Sequence, residues 1–453
     1  MIAVRKQILS AGVFLCLAAG SRGAWAQSEG SGLNPFQPTK SGIQLYDVTL
    51  FSQYYSMARP AFSVTASQPQ NLGFDVASGV TGTLGWNHPG LRTSAGFTYT
   101  GTYARRARYS EWDTNDHALS LWLHRTLSRS WDLRFSGEGS VRTLDQFLFQ
   151  NAQVLSWASL PGTFDDLSAA MLRGEYSNQQ LASMLTGLPV VSTPAQTLIY
   201  GNRFFSSGAS ATLSYAPVPR LRITWGAGGG RIQALPGSVG QRALLNQSTR
   251  GNSNLGISYA LTPRTELGFT ATAGRQFSIV SNQYNLRGMA TLSRALTRQW
   301  FLSLEAGGGT YLYTADSAAR SPVQTLGGVT LAHRGRSQTW MLTAKRSLAD
   351  TYGVGSRSTV VADLGWSWSP PGSNWALSAS GSQQYMDQSL LNAFSAWRMM
   401  GGVGRQIARG LVFKTEYSYM DYRMTATPAQ GLLPHASQHA VRVALIWNPM
   451  GSN

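Results

Sequence analysis

The residues His439–Trp447 alternate without a break. Val441, Val443, Leu445 and Trp447 fall on one side of an extended chain, and Ala440, Arg442, Ala444 and Ile446 on the other. Period-two alternation makes a β-strand with two unlike faces. The pattern recurs along the chain. Trp131, Leu133, Phe135 and Val141 oppose Asp132, Arg134, Ser136, Glu138 and Arg142; Leu255, Ile257 and Tyr259 oppose Asn254, Gly256 and Ser258; Leu411, Phe413, Tyr417 and Tyr419 oppose Lys414, Glu416 and Ser418. Each such strand must cover its apolar face, either with a second sheet or with lipid.

Turn signals divide these strands into a repeat. Short turns fall at Asn87–Gly90, Leu127–Ser130, Ala216–Arg220, Leu261–Arg264, Leu296–Gln299, His333–Ser337, Pro370–Asn374 and Ala408–Gly410. Longer connections alternate with them, near residues 58–72, 106–115, 145–203, 235–249, 278–283, 314–322, 350–356, 387–392 and 424–437. Eight turns and nine loops join eighteen strands; sixteen is the other even count the pattern allows. An even count puts both chain ends on one side, with the short turns.

The aromatic residues choose between sandwich and membrane barrel. Trp86, Trp131, Trp300, Trp340, Trp366, Trp368, Trp375 and Trp447 lie beside the short turns or the C-terminus. Tyr54, Tyr55, Tyr99, Tyr103, Tyr311, Tyr313, Tyr417, Tyr419 and Tyr422 lie towards the long loops. Trp and Tyr collect at membrane–water boundaries because their rings are apolar with one polar group. A sandwich has no cause to sort them. Charged residues are only 13% of the chain, against the roughly 25% of soluble proteins. No internal run reaches the roughly 20 apolar residues of a spanning helix.

The N-terminus has the layout of a secretory signal peptide over residues 1–26: Arg5 and Lys6, an apolar run from Ile8 to Gly20, and Ala24-Trp25-Ala26 before Gln27. Residues 27–42 form a Gly/Ser/Pro-bearing periplasmic lead-in, and the barrel spans 43–449. Cys16 is the one cysteine and leaves with the signal, which excludes disulfides and thiolate metal sites. The formal charge of +17 falls to +14 without Arg5, Lys6 and Arg22, and nearly all of it is arginine. Guanidinium binds phosphates and carboxylates bidentately, so the excess implies either anionic solutes or anionic lipid. Export excludes nucleic acid as a partner.

Residues 145–203 are too long for a structureless loop. Thr163–Gly174 and Ser177–Gly187 carry helix-start signals, apolar periodicity and stop residues, predicting two short helices in one extracellular insertion that narrows the mouth or covers the rim.

No nucleophile elbow, phosphate loop or paired-histidine metal motif occurs. Asp116-His117, and Ser120 with His124 on one strand face, are the only imaginable pieces of a catalytic site, and no catalytic, cofactor or metal residue is assigned. The inward polar set is the more informative constellation. Arg134, Arg142, Arg222, Arg287, Lys345, Arg398, Lys414 and Arg442 are its basic members, and Asp75, Asp132, Glu138, Glu266, Glu305, Asp363 and Glu416 its acidic ones. Opposite charges on neighbouring strands pair across a wall. Of this set, Arg134, Glu138, Arg142, Arg222, Arg287, Arg398, Lys414, Glu416 and Arg442 are the candidate lumen lining. Arg105, Arg106, Arg108, Arg203, Arg231, Arg242, Arg275 and Arg320 belong to loops and rims.

Signal peptide, repeated amphipathic hairpins, two aromatic belts and a terminal aromatic strand together resemble bacterial outer-membrane β-barrels, both sugar-type porins and exporters of acidic exopolysaccharide. The resemblance implies an all-β, antiparallel up-and-down transmembrane barrel with both termini periplasmic. It also implies barrel-assembly machinery and lipopolysaccharide as partners, and passage of solutes or an anionic polymer. A surface structural or adhesive barrel is the alternative, and an outer-membrane enzyme a third.

Overall fold

The computed structural model describes residues 42–56, 73–88, 90, 92–110, 113–143, 203–235, 247–278, 282–313, 322–348, 356–389, 394–424 and 435–449. The signal segment, the lead-in up to residue 41 and the two expected helices lie outside the described residues.

Eighteen strands follow one another: β1 (Gly42–Tyr55), β2 (Asp75–His88), β3 (Thr93–Arg106), β4 (Thr114–Thr126), β5 (Trp131–Thr143), β6 (Arg203–Val218), β7 (Leu221–Ala234), β8 (Gln247–Thr262), β9 (Thr265–Ser278), β10 (Asn282–Ala295), β11 (Trp300–Tyr313), β12 (Gln324–Arg334), β13 (Gln338–Ser347), β14 (Ser356–Trp368), β15 (Trp375–Ser389), β16 (Phe394–Ala408), β17 (Leu411–Met424) and β18 (His435–Trp447). Each pairs antiparallel with its neighbours in sequence, and β18 pairs with β1 from Val48–Trp447 to Tyr55–Ala440. The ring is therefore closed, which leaves no sheet edge exposed. Eighteen is the observed count, and sixteen is excluded.

Strand length fits the task, since a tilted transmembrane strand needs about 9–11 residues and the shortest strand here, β13, has 10. Tight turns close the strands at one end. Gly410 holds φ at 70°, a left-handed value that only glycine adopts cheaply. Leu127–Trp131 and Leu296–Trp300 share another design. The leucine N–H donates to the tryptophan carbonyl at 2.9 Å in each. The Ser128 and Thr297 hydroxyls accept from the amides of Ser130 and Gln299.

The outer face is apolar. Leu50, Leu255, Ile257, Leu267, Phe269, Leu364, Met399 and Val443 stand 39–52% exposed on it. Outward Trp131, Trp375 and Trp447 border it near the short turns, and outward Tyr54, Tyr103 and Tyr385 near the long loops; Tyr417, expected there too, stands at mid-strand. An apolar band between two aromatic girdles is the surface of a barrel that spans a bilayer.

The expected belt needs correcting. Tyr55 (0% exposed) and Tyr311 (1%) point inward, because the pleat gives them the parity of Gln53 and Gly309. The side chains of Tyr313 and Tyr422 lie outside the described residues. In β1 the register shifts between Leu45 and Asp47; the extra residue, Tyr46, and Asp47 both turn inward, so alternation counted from Ile43 loses phase there.

Candidate functional site

The inside of the barrel falls into two arcs. Along β16, β17, β18 and β1 to β4 the inward side chains pack on one another. Arg398 (β16), Glu416 (β17) and Arg442 (β18) lie on adjacent strands and are all buried. Lys414 Nζ reaches Glu416 Oε1 at 2.7 Å, and Glu416 stands opposite Arg442 in the ladder. Alternating charge lets three cations share one carboxylate instead of repelling across bare wall.

Aromatic rings extend this arc over the closing seam. The Arg442 guanidinium sits 4.5 Å from the Phe51 ring centroid, and that of Arg106 4.7 Å from Tyr55. Cations stack on ring faces through the ring quadrupole. Arg106 also lies 3.5 Å from Asp75, both nearly without solvent contact. It is thus an interior wall residue rather than the rim charge expected from sequence. Phe51, Ala104 and Ala444 form one apolar cluster, so Ala444 faces inward into packed side chains, not into open lumen.

The opposite arc, β5 to β10, is open over its middle stretch; towards the long loops Phe204, Ile232, Ser248, Gln276 and Gln283 face inward and are buried. Ser136, Glu138, Ser210, Arg250, Asn252 and Arg287 point inward and are exposed. Arg134, Arg222, Asn254 and Glu266 share that face half-buried. Glycines on the same face create the space for these polar groups. A Cβ on Gly208 would stand 3.3 Å from Glu138 Oε1, and one on Gly274 2.5 Å from Asn285 Oδ1; one on Gly226 would collide with the Asn254 carboxamide. Long polar side chains therefore lie flat along the wall instead of projecting across the lumen. Serine pairs complete the polar surface, Ser136–Ser210 and Ser140–Ser206, each at 2.7 Å. The glycine runs of β7 and β11 are thus places of close side-chain approach.

Between the arcs, Lys345 Nζ meets Glu305 Oε2 at 2.8 Å. These residues sit on β13 and β11, and the ion pair passes over Gly328 of the intervening β12, opposite both in register. The expected pairing of opposite charges across the wall is present here. The candidate residues other than Arg142 face inward by register; the side chain of Arg142 lies outside the described residues. Arg242 and Arg320 also lie outside them.

The catalytic fragments separate. Asp116 points inward with no exposure. His117 points outward and is bonded through Nδ1 to the Tyr99 hydroxyl at 2.7 Å. Ser120 and His124 share the inner face, but four strand residues set them roughly 13 Å apart. His124 lies 3.5 Å from Asp132 instead. Among the described residues no group of three His, Cys, Asp or Glu side chains could hold a metal ion.

The fold is similar to that of several solved outer-membrane proteins. OccK2 (OpdF) of Pseudomonas aeruginosa is 10% identical, with 90% of this chain and 98% of that chain covered and a TM-score of 0.44. A BenF-like porin from Pseudomonas fluorescens Pf-5 is 10% identical over 90% and 98% of the two chains, with a TM-score of 0.41. The outer membrane protein opdK of Pseudomonas aeruginosa is 11% identical over 90% and 98%, with a TM-score of 0.40. No protein-family model and no curated protein matches the sequence.

Proposed function

We propose that the protein is a channel of the bacterial outer membrane that passes small polar solutes and favours anions. The observation that carries this reading is the open, polar, net-basic middle stretch of the arc from β5 to β10. Exposed Arg250 and Arg287 stand on it against exposed Glu138. Barrels of 16 to 18 strands are wide enough to leave an aqueous channel. The barrel resembles outer-membrane porins in sequence layout, and its apolar band and girdles suit a bilayer.

Passage of an anionic polymer is the finer reading. It is supported by the glycine-backed wall, on which few side chains project to catch a sliding chain. Bilayer recordings test both. The purified protein should conduct, and its reversal potential in a salt gradient should show anion preference. The double variant Arg250→Glu/Arg287→Glu should turn that preference towards cations. Addition of a soluble polyuronate should block the current if polymer enters. A barrel that inserts but does not conduct would return the protein to the structural or adhesive class.

A further inference from the structure

We propose that the short-turn rim of the barrel is a ring that binds the phosphate headgroups of anionic phospholipid in the adjoining leaflet. The proposal rests on the reading of the barrel as lipid-embedded. Seven of the eight short connections, taken between the observed strand ends, carry an arginine: Arg92, Arg129, Arg220, Arg264, Arg298, Arg336 and Arg409. All seven are exposed. None of the eight turns contains Asp or Glu. The acids nearest to them, Asp132 and Glu266, both point into the barrel; Asp132 accepts a hydrogen bond from the Thr126 hydroxyl at 3.0 Å, and Glu266 stands opposite buried Ser293. The long-loop rim differs, since its arginines have side-chain partners: Arg423 lies 3.3 Å from Asp421, and Arg231 and Arg275 donate to Gln247 and Asn282.

The turn geometry aims these charges. In Leu127–Trp131 and Leu296–Trp300 a serine or threonine hydroxyl satisfies the turn amides. The arginine is left for solvent, two residues before an outward tryptophan. Interfacial tryptophan marks the headgroup level, so the guanidinium just beyond it meets the phosphates, which it binds bidentately. Arg125, Arg294 and Arg405 are outward-facing and exposed at the same end, and Arg405 lies 5.0 Å over the Trp375 ring. They carry the ring onto the lipid-facing wall. A soluble acidic polymer would not reach that surface, and this favours lipid as the occupant.

The test uses the full mature barrel in phosphatidylcholine vesicles with spin-labelled phosphatidylglycerol or phosphatidylcholine. The ratio of the two labels' association with the protein surface is read from the motionally restricted spectrum. The wild type should prefer phosphatidylglycerol by roughly fivefold, the strength of one basic residue at a charged surface, and high salt should reduce this. Changing all seven turn arginines to Gln should bring the ratio close to one, whereas changing them to Lys should preserve most of it. If the sevenfold variant does not fold, Arg129→Gln/Arg298→Gln/Arg336→Gln should still lower the ratio. Equal restriction of both labels by the wild type, or an unchanged ratio in the Gln variants, overturns the ring alone. Restriction of neither label overturns the membrane reading and the ring with it.

Discussion

Ile257→Arg should destabilise the barrel by about 2–4 kcal/mol, the cost of a cationic side chain at the bilayer midplane. Ile257 is the middle residue of the outward apolar run of β8, between Leu255 and Tyr259. Its cross-strand neighbours are Ile223 and Phe269, and it is 46% exposed. No polar partner lies beside it on either strand, so a new charge there meets hydrocarbon. Asn252→Arg on the same strand is the control. Asn252 faces inward, exposed, between Gly228 and Gly274, and an added arginine there reaches lumen water. Its cost should stay within about 0.5 kcal/mol, the usual range for surface changes. Urea titrations of barrels refolded into vesicles measure both. A cost of 2–4 kcal/mol is a factor of roughly 30 to 1,000 in the folding equilibrium, well outside the error of the method. Equal destabilisation of the two variants would refute the assignment of faces. So would a harmless Ile257→Arg.

Other consequences concern closure and the two arcs. Unheated, detergent-folded protein should migrate differently from boiled protein, because the β1–β18 seam leaves no edge from which to unravel; identical migration would argue against closure. Glu416→Gln takes the shared carboxylate from Arg398, Lys414 and Arg442 and should cost about 3–5 kcal/mol, as broken buried ion pairs do; an unchanged unfolding midpoint would show that the sealed arc draws nothing from that carboxylate. Gly226→Val should push the Asn254 side chain off the wall and reduce conductance, and Gly226→Val/Asn254→Ala should recover much of it; a reduction that persists in the double variant would assign the effect to the backbone.

The barrel was legible because its strands repeat one simple rule. Alternation such as Val441-Arg442-Val443-Ala444 fixes two faces, and turns such as Pro263-Arg264 fix where each strand ends. The parity of the inward charges followed from the same rule. Depth of burial did not. Arg106 and Arg105 are neighbours in sequence, yet one is stacked on Tyr55 inside the wall and the other is exposed outside; only the register of β3 on β2 decides which. Tyr55 and Tyr311 read as girdle residues because composition near a loop says nothing of parity. The extra residue at Tyr46 shifts the phase of β1 without any Gly or Pro to announce it. The division into sealed and open arcs lies further from the sequence. It depends on large residues, Phe51 and Tyr55, meeting Arg442 and Arg106 across strands far apart in the chain, and on glycines meeting Glu138 and Asn254 elsewhere. The arginine of the short turns was visible in the sequence, but its meaning needed the girdle that the turns adjoin.

Single-channel recording in planar bilayers tests the central claim most directly. The purified barrel should insert and give discrete steps, with a preference for anions that is strongest at low ionic strength, where screening is least. Insertion with no steps would contradict the account of an open arc. Steps with a cation preference would contradict the role given to Arg250 and Arg287.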